Sequence, residues 1–178
     1  MIAIFFALSQ EVASLKPQVN ILKKTRYGHA LIYQTEFYGF PVMVVQTGVG
    51  KKVSDVIHHL SKQVRIQLMI SSGFAGSVNP DVRVGDLVIG KDVLSASQNA
   101  FEGEIRIDSR LTCDAPVADI AVKLQHADDY HVHYGDILTV NKIIRKSSTK
   151  KHIGSCTSAI AVDMESFIIA ERAHADFR

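Results

Sequence analysis

At 178 residues the chain suits a single domain that buries roughly 70% of the surface its unfolded form exposes. A composition of 47% hydrophobic and 21% charged residues is that of a globular protein, and a net charge of +2 spread along the chain argues against a basic nucleic-acid-binding face. Cys113 and Cys156 stand far apart with no C-x-x-C spacing, which points to reduced thiols in a cytoplasmic protein rather than a disulfide framework.

Ile2 to Leu8 is a nearly continuous apolar run, the pattern of a central strand covered on both faces. It lacks the basic n-region and the length of a signal peptide, and it meets a charge at Glu11. No stretch approaches the ~18 apolar residues that span a bilayer. Ser9 is placed to N-cap a short helix, with Val12 and Leu15 on its inner face and Pro17 limiting it. Glu11 then stands in the first turn beyond a strand end, where a carboxylate either answers the helix dipole or serves a site.

Tyr27 to Tyr38 and Phe40 to Gln46 read as a strand pair around Tyr38-Gly39-Phe40-Pro41. The second arm delivers Thr47-Gly48-Val49-Gly50 at its end. A helix follows from about Lys51 to Gln63, its apolar side carrying Val53, Val56, Ile57 and Leu60. The G-x-G is not the dinucleotide fingerprint, because the third glycine and a downstream acid are missing; it suits close backbone approach to a ligand or to the sheet. His58 and His59 point about 100° apart on that helix and do not chelate together.

Leu68 to Ile89 is the central stretch, read as two strands joined by a glycine turn and meeting around a polar notch. Gly73 and Gly76 permit close approach of a ligand, and Ser71 and Ser72 put hydroxyls at a strand's end, where ligands of open α/β sheets usually lie. Beyond the turn at Asn79-Pro80-Asp81, residues 82–94 are largely extended, and Ser95 to Arg110 is a polar, loop-like segment. Ala115 to His126 reads as a helix with Val117, Ile120, Ala121 and Leu124 at helical spacing.

His131 and His133 share one face of a strand that runs on through Gly135-Asp136-Ile137-Leu138-Thr139-Val140. No third ligand is fixed by spacing, so no metal site is assigned. Arg145 to Lys151, the densest basic cluster, reads as a solvated loop. Ala159 to Val162 is a short strand, and Met164 to Ala173 a helix that Asp163 caps, with Glu165 in its first turn. Strands alternating with helices, plus a hairpin, indicate an α/β protein with a mixed sheet.

Glu11 after an N-terminal strand, Thr47-Gly48-Val49-Gly50-Lys51, Gly73-Phe74-Ala75-Gly76 followed by Val84-Gly85-Asp86-Leu87-Val88, Gly135-Asp136, and Ala161-Val162-Asp163-Met164-Glu165 together resemble the purine nucleoside phosphorylase and nucleosidase superfamily. The likeness is to its methylthioadenosine/S-adenosylhomocysteine nucleosidases and, through Thr139 to Ile144 and Val162 to Ser166, to its hopanoid-associated phosphorylase-like branch. Five motifs in order are far more specific than any one.

The resemblance implies a three-layer α/β/α fold with a mixed central sheet and cleavage of the N-ribosidic bond of a purine, by preference adenine, nucleoside. That chemistry builds positive charge on the sugar, which a carboxylate stabilises. It implies that Glu11 activates the attacking water, that Glu165 binds the ribose hydroxyls beside Asp163, and that Met164 packs on the sugar. It further implies that Thr47 and Gly48 contact substrate, that Phe74, Ala75, Gly76 and Val162 border the purine, and that Leu138 and Thr139 lie along the base. The two glutamates would converge on opposite sides of one sugar. No cofactor is implied, and a homodimer is.

Two departures stand out. Relatives carry a small hydroxyl residue where this chain has Phe74, whose ring donates no hydrogen bond. They also deliver a Ser-Asp pair on a strand after the last helix, its aspartate protonating the purine, whereas this sequence ends at Arg178. The expectation is therefore one domain over 1–178, truncated before its last strand and helix. Phosphorolysis, for which Arg26, Arg65 and Arg83 are available to phosphate, and a non-catalytic nucleoside-binding module are the alternatives.

Overall fold

The fold was obtained as a computed structural model, which describes residues 1–96, 101, 103–123 and 130–176. The Cα framework divides into two compact units, Met1–Phe74 with the segment from Ile168 onward, and Ala75–Phe167.

The first unit begins with β1 (Ile2–Phe6), α1 (Ser9–Ala13), β2 (Asn20–Tyr27), β3 (Ala30–Phe37), β4 (Phe40–Gln46), α2 (Lys52–Ser61) and β5 (Leu68–Ser71). Its sheet runs β2-β3-β4-β1-β5, with β1 parallel to both β4 and β5 and the other pairs antiparallel. The continuous apolar character of β1 and β4 follows from burial on both faces. Ala3, Phe5, Met43 and Val45 pack with Val53, Val56, Ile57 and Leu60 of α2, while Phe6, Val42 and Val44 pack with Val12 and Tyr33 on the other side. The expected stripe of α2 is buried at all four positions. Tyr38 and Gly39 both take positive φ, 49° and 80°, the two-residue turn whose twist suits the expected β3–β4 hairpin.

Sequence reasoning passed over β2. Its side chains are nearly all exposed, so no alternation marks it, and Lys23, Lys24 and Arg26 give it the charged character of an edge. Leu8, not Ser9, is the cap residue of α1, because Ser9 already has helical geometry and the Glu11 side chain reaches back to the Leu8 N–H.

The second unit holds β6 (Gly76–Ser77), β7 (Leu87–Ser95), β8 (Ser109–Thr112), α3 (Ala115–Lys123), β9 (Val132–Thr139), α4 (Ser147–Cys156), β10 (Ala159–Asp163) and the start of α5 (Ser166–Asp176). Its sheet runs β6-β10-β9-β7-β8, with β9 parallel to β7 and β10. The α/β class with mixed strand directions is thus as expected, its strands falling in two five-stranded sheets.

Three expectations are corrected here. The strands at Leu68 and Leu87 do not pair: β5 bonds to β1, and β7 to β8 and β9. Residues 147–151 are helical rather than loop, because Ile153 is fully buried in the core of this unit and anchors α4. On α3 the apolar positions face out, with Val117 37% and Ile120 61% exposed, and Ala118 is the buried residue; Leu124 to His126 lie outside the described residues. Among the described residues no helix is long and apolar enough to cross a membrane.

Candidate functional site

In the first unit, three chain segments gather at the C-terminal end of β1. The Thr47 and Gly48 N–H groups donate to Phe6 O and Ala7 O at 2.8 and 3.0 Å, and the Ser72 N–H donates to Phe5 O at 2.9 Å. The ends of parallel strands β4, β1 and β5 therefore lie side by side, the location at which such sheets bind ligands. Glu11 enters this place from α1. Its Oε2 accepts the Leu8 N–H at 2.7 Å and its Oε1 accepts the Phe74 N–H at 2.8 Å, and the residue is only 9% exposed. Two backbone donors hold the carboxylate in one orientation and leave each oxygen a lone pair for a further partner.

Gly73 is the residue that allows this. A Cβ there would stand 2.6 Å from Glu11 Oε1, so a side chain would displace the carboxylate. Gly48 (φ +76°) and Gly50 (φ +78°) turn the chain after β4 through conformations that favour glycine. The ring of His29, a residue that sequence reasoning did not single out, fills the place of a Gly48 side chain. Thr47 is buried with its hydroxyl 2.9 Å from the Gly48 carbonyl and 3.2 Å from the Phe6 carbonyl, so its contribution is to the turn. Phe74 is 71% exposed, its N–H on Glu11 and its ring outward.

In the second unit the ends of parallel β9 and β10 form another cluster. Thr139 Oγ1 donates to Asp163 Oδ1 at 2.6 Å and accepts the Phe167 N–H at 2.9 Å, while Asp163 Oδ2 accepts the Ser166 N–H at 2.9 Å. The helix expected from Met164 instead begins at Ser166, whose N–H Asp163 accepts, so Met164 and Glu165 form the two-residue bend before α5 rather than its first turn. Leu138 and Val162 are buried, Met164 packs on the core, and Glu165 is half-buried. Gly76 pairs with Val162 across the β6–β10 ladder, and Ala75 leads into that pairing.

A polar network in the same sheet escaped sequence reasoning. Arg110 on β8 donates to Asp92 on β7 at 2.5 Å, to Asp136 on β9 at 2.9 Å and to Ser158 at 3.0 Å, and Ser158 donates to Asp136 at 2.6 Å. Burial pushes the Asp92 carboxyl up, but hydrogen bonds from Arg110 and Thr112 and the charges of Arg110 and Lys91 leave it below its ordinary value. The bond to Asp92 likewise raises Arg110. Burial, and then the Asp92 and Asp136 charges, push the Cys113 thiol up. The available signal was Asp92 itself, an acid inside the apolar run of β7 that needs a partner.

Asp86 closes the turn before β7. It accepts the Arg83 and His131 N–H groups at 2.8 and 3.1 Å and lies 2.9 Å from His133 Nε2. The Arg83 bond, then that to His133, lowers its carboxyl from 3.8 to about 2. A depressed carboxylate stabilises the fold above its unfolded value and loses that contribution as the pH falls through the folded one. The melting-temperature difference between the wild type and Asp86→Asn is therefore expected to be full above the unfolded 3.8 and to close as the pH nears 2. A difference independent of pH across that interval would rule this out.

The phosphorylase superfamily model matches residues 1–175. A 5'-methylthioadenosine/S-adenosylhomocysteine nucleosidase of Buchnera aphidicola is 29% identical over 97% of this chain and 77% of its own length, and one of Haemophilus influenzae is 27% identical over 98% and 80%. Among solved structures, the Neisseria meningitidis nucleosidase in complex with methylthio-immucillin-A superposes with a TM-score of 0.81 at 22% identity, covering 98% of this chain and 79% of its own. The futalosine hydrolase of Helicobacter pylori superposes with a TM-score of 0.83 at 18% identity, covering 98% and 78%. A family match from the first residue to 175, together with a glutamate anchored at the ends of parallel strands, makes this chain a member of the phosphorylase superfamily.

Proposed function

We propose that this chain hydrolyses the N-ribosidic bond of a purine nucleoside, with an adenine nucleoside such as methylthioadenosine or S-adenosylhomocysteine as its substrate. The observation that carries the reading is the Glu11 carboxylate, fixed by the Leu8 and Phe74 N–H groups where β4, β1 and β5 end. Breaking the bond leaves an oxocarbenium-like sugar, and a water molecule then adds to the anomeric carbon. Glu11 takes a proton from that water, its fixed orientation removing the cost of aligning the base in the transition state. The names of the curated relatives support this chemistry.

In this reading Glu165 accepts hydrogen bonds from the ribose hydroxyls and Met164 packs against the sugar, both held by the turn that Thr139 and Asp163 brace. Phe74, Ala75, Gly76 and Val162 border the purine, Leu138 closes its apolar side, and Thr47 and Gly48 shape the loop beside Glu11. The protein works as a cytoplasmic homodimer, which light scattering would register as twice the 19.6 kDa chain mass.

The test is to incubate the protein with methylthioadenosine, adenosine and inosine, each with and without phosphate, and to follow the free base. Adenine released from methylthioadenosine without phosphate is the expected result. Release that requires phosphate would mean phosphorolysis, and no base from any substrate, with adenine still bound in calorimetry, would mean a binding module.

A further inference from the structure

Lys150 stands on α4 beside β6. Its Nζ lies 3.5 Å and its Cε 3.7 Å from the position a Cβ would take on Gly76, whose other close neighbour is Val162. Because Gly76 has no side chain, the Lys150 ammonium and a Val162 methyl occupy the place a Cβ would take, and the ammonium lies directly against that strand. One turn further along, the missing side chain of Gly154 lets the helix meet the Val78 carbonyl, which sets how near to β6 Lys150 must lie. Lys150 is half-buried, and α4 carries no acidic residue of its own. Among the described residues, no carboxylate or hydrogen-bond acceptor pairs with the ammonium. Cations taken out of water are ordinarily paired, so an unpaired one beside a glycine is a donor available to a ligand.

We propose that Lys150 is a further catalytic residue, whose ammonium donates a hydrogen bond to an acceptor atom on the departing purine. The proposal rests on the reading above in placing the base at Gly76 and Val162. As the bond between the anomeric carbon and the purine nitrogen breaks, its electron pair moves onto the base. Lys150 holds the negative charge that develops there, and the base then takes a proton from solvent. Water supplies the new bond to the anomeric carbon, giving one proton to Glu11, which returns it to solvent. Charge stabilisation of this kind acts on the transition state far more than on the bound substrate.

The experiment compares wild type, Lys150→Met and Lys150→Arg on two substrates, adenosine and 4-nitrophenyl riboside. Nitrophenolate is a leaving group that departs without a donor. Lys150→Met is expected to lower kcat on adenosine by about 10²- to 10³-fold. Its kcat on the nitrophenyl riboside should stay within about threefold of wild type. Lys150→Arg, which keeps the charge, should recover most of the adenosine rate. Equal losses on both substrates would assign Lys150 a structural role, and no loss on either would remove it from the reaction; each overturns the proposal. Where the wild type cleaves methylthioadenosine but not adenosine, methylthioadenosine takes the place of adenosine in the comparison; a wild-type protein that cleaves none of the three overturns the nucleosidase reading, and the role of Lys150 falls with it. Far-ultraviolet circular dichroism of each variant confirms that folding is unchanged.

Discussion

Replacing Glu11 with Gln is expected to lower kcat for release of adenine by about 10²- to 10⁴-fold, roughly 3 to 5 kcal/mol of barrier. Both oxygens of Glu11 accept backbone N–H groups, so the carboxylate is held by donors from Leu8 and Phe74 at the same time. Glutamine keeps one acceptor, but its amide nitrogen must face the other N–H, and it carries no charge with which to take a proton from water. Binding of adenine does not require that charge, so KM should change much less than kcat. The donor facing a donor costs about 1 to 3 kcal/mol of stability, which a melting curve would register separately. A Glu11→Gln variant whose kcat stays within about tenfold of wild type would exclude Glu11 as the base.

The second large effect is on the fold. Arg110→Met is expected to destabilise the protein by about 2 to 4 kcal/mol, measured as a fall in the urea midpoint. Arg110 is the shared partner of Asp92 and Asp136, whose side chains are only 10% and 8% exposed. Without it, two nearly buried carboxylates face each other across β7 and β9 with only hydroxyl donors left. The guanidinium itself is 47% exposed, so water screens part of the interaction and the loss falls short of that for a fully buried pair. The sign with pH follows from the depressed Asp92: its contribution is present above the ordinary carboxylate range and is lost on acidification. The gap between wild type and variant should therefore narrow toward low pH. A loss under about 0.5 kcal/mol at neutral pH would show that solvent satisfies both acids.

How far sequence reasoning reached depended on whether an element buried a regular face. The four apolar positions of α2 recur at helical spacing and are all buried, and β1 and β4 were legible because both of their faces are covered. The hairpin at Tyr38-Gly39 was legible because only a few residue types take positive φ. Where a segment buries one side chain or none, the signal vanished. Exposed β2 shows no such pattern, and Arg145 to Lys151, which includes the first half of α4, reads as a loop because Ile153 is the single buried residue of that helix. On α3 the periodicity was present but pointed the wrong way, since the core accepts Ala118 and leaves Val117 and Ile120 outside.

By itself the sequence determined the α/β class, the strand ends that carry Thr47, Gly73 and Asp163, and a glutamate two residues into a helix behind the first strand. These are local properties, written in side-chain periodicity, in glycine at special φ and in capping chemistry. Only the tertiary structure decided that β5 pairs with β1 rather than with β7, that Glu11 is gripped by the N–H of a residue 63 positions away, and that Arg110 serves acids 18 and 26 positions distant. The physical reason is that every residue but proline offers the same backbone donor and acceptor, so which distant groups meet is set by the packing of the whole core and leaves no mark on the residues concerned.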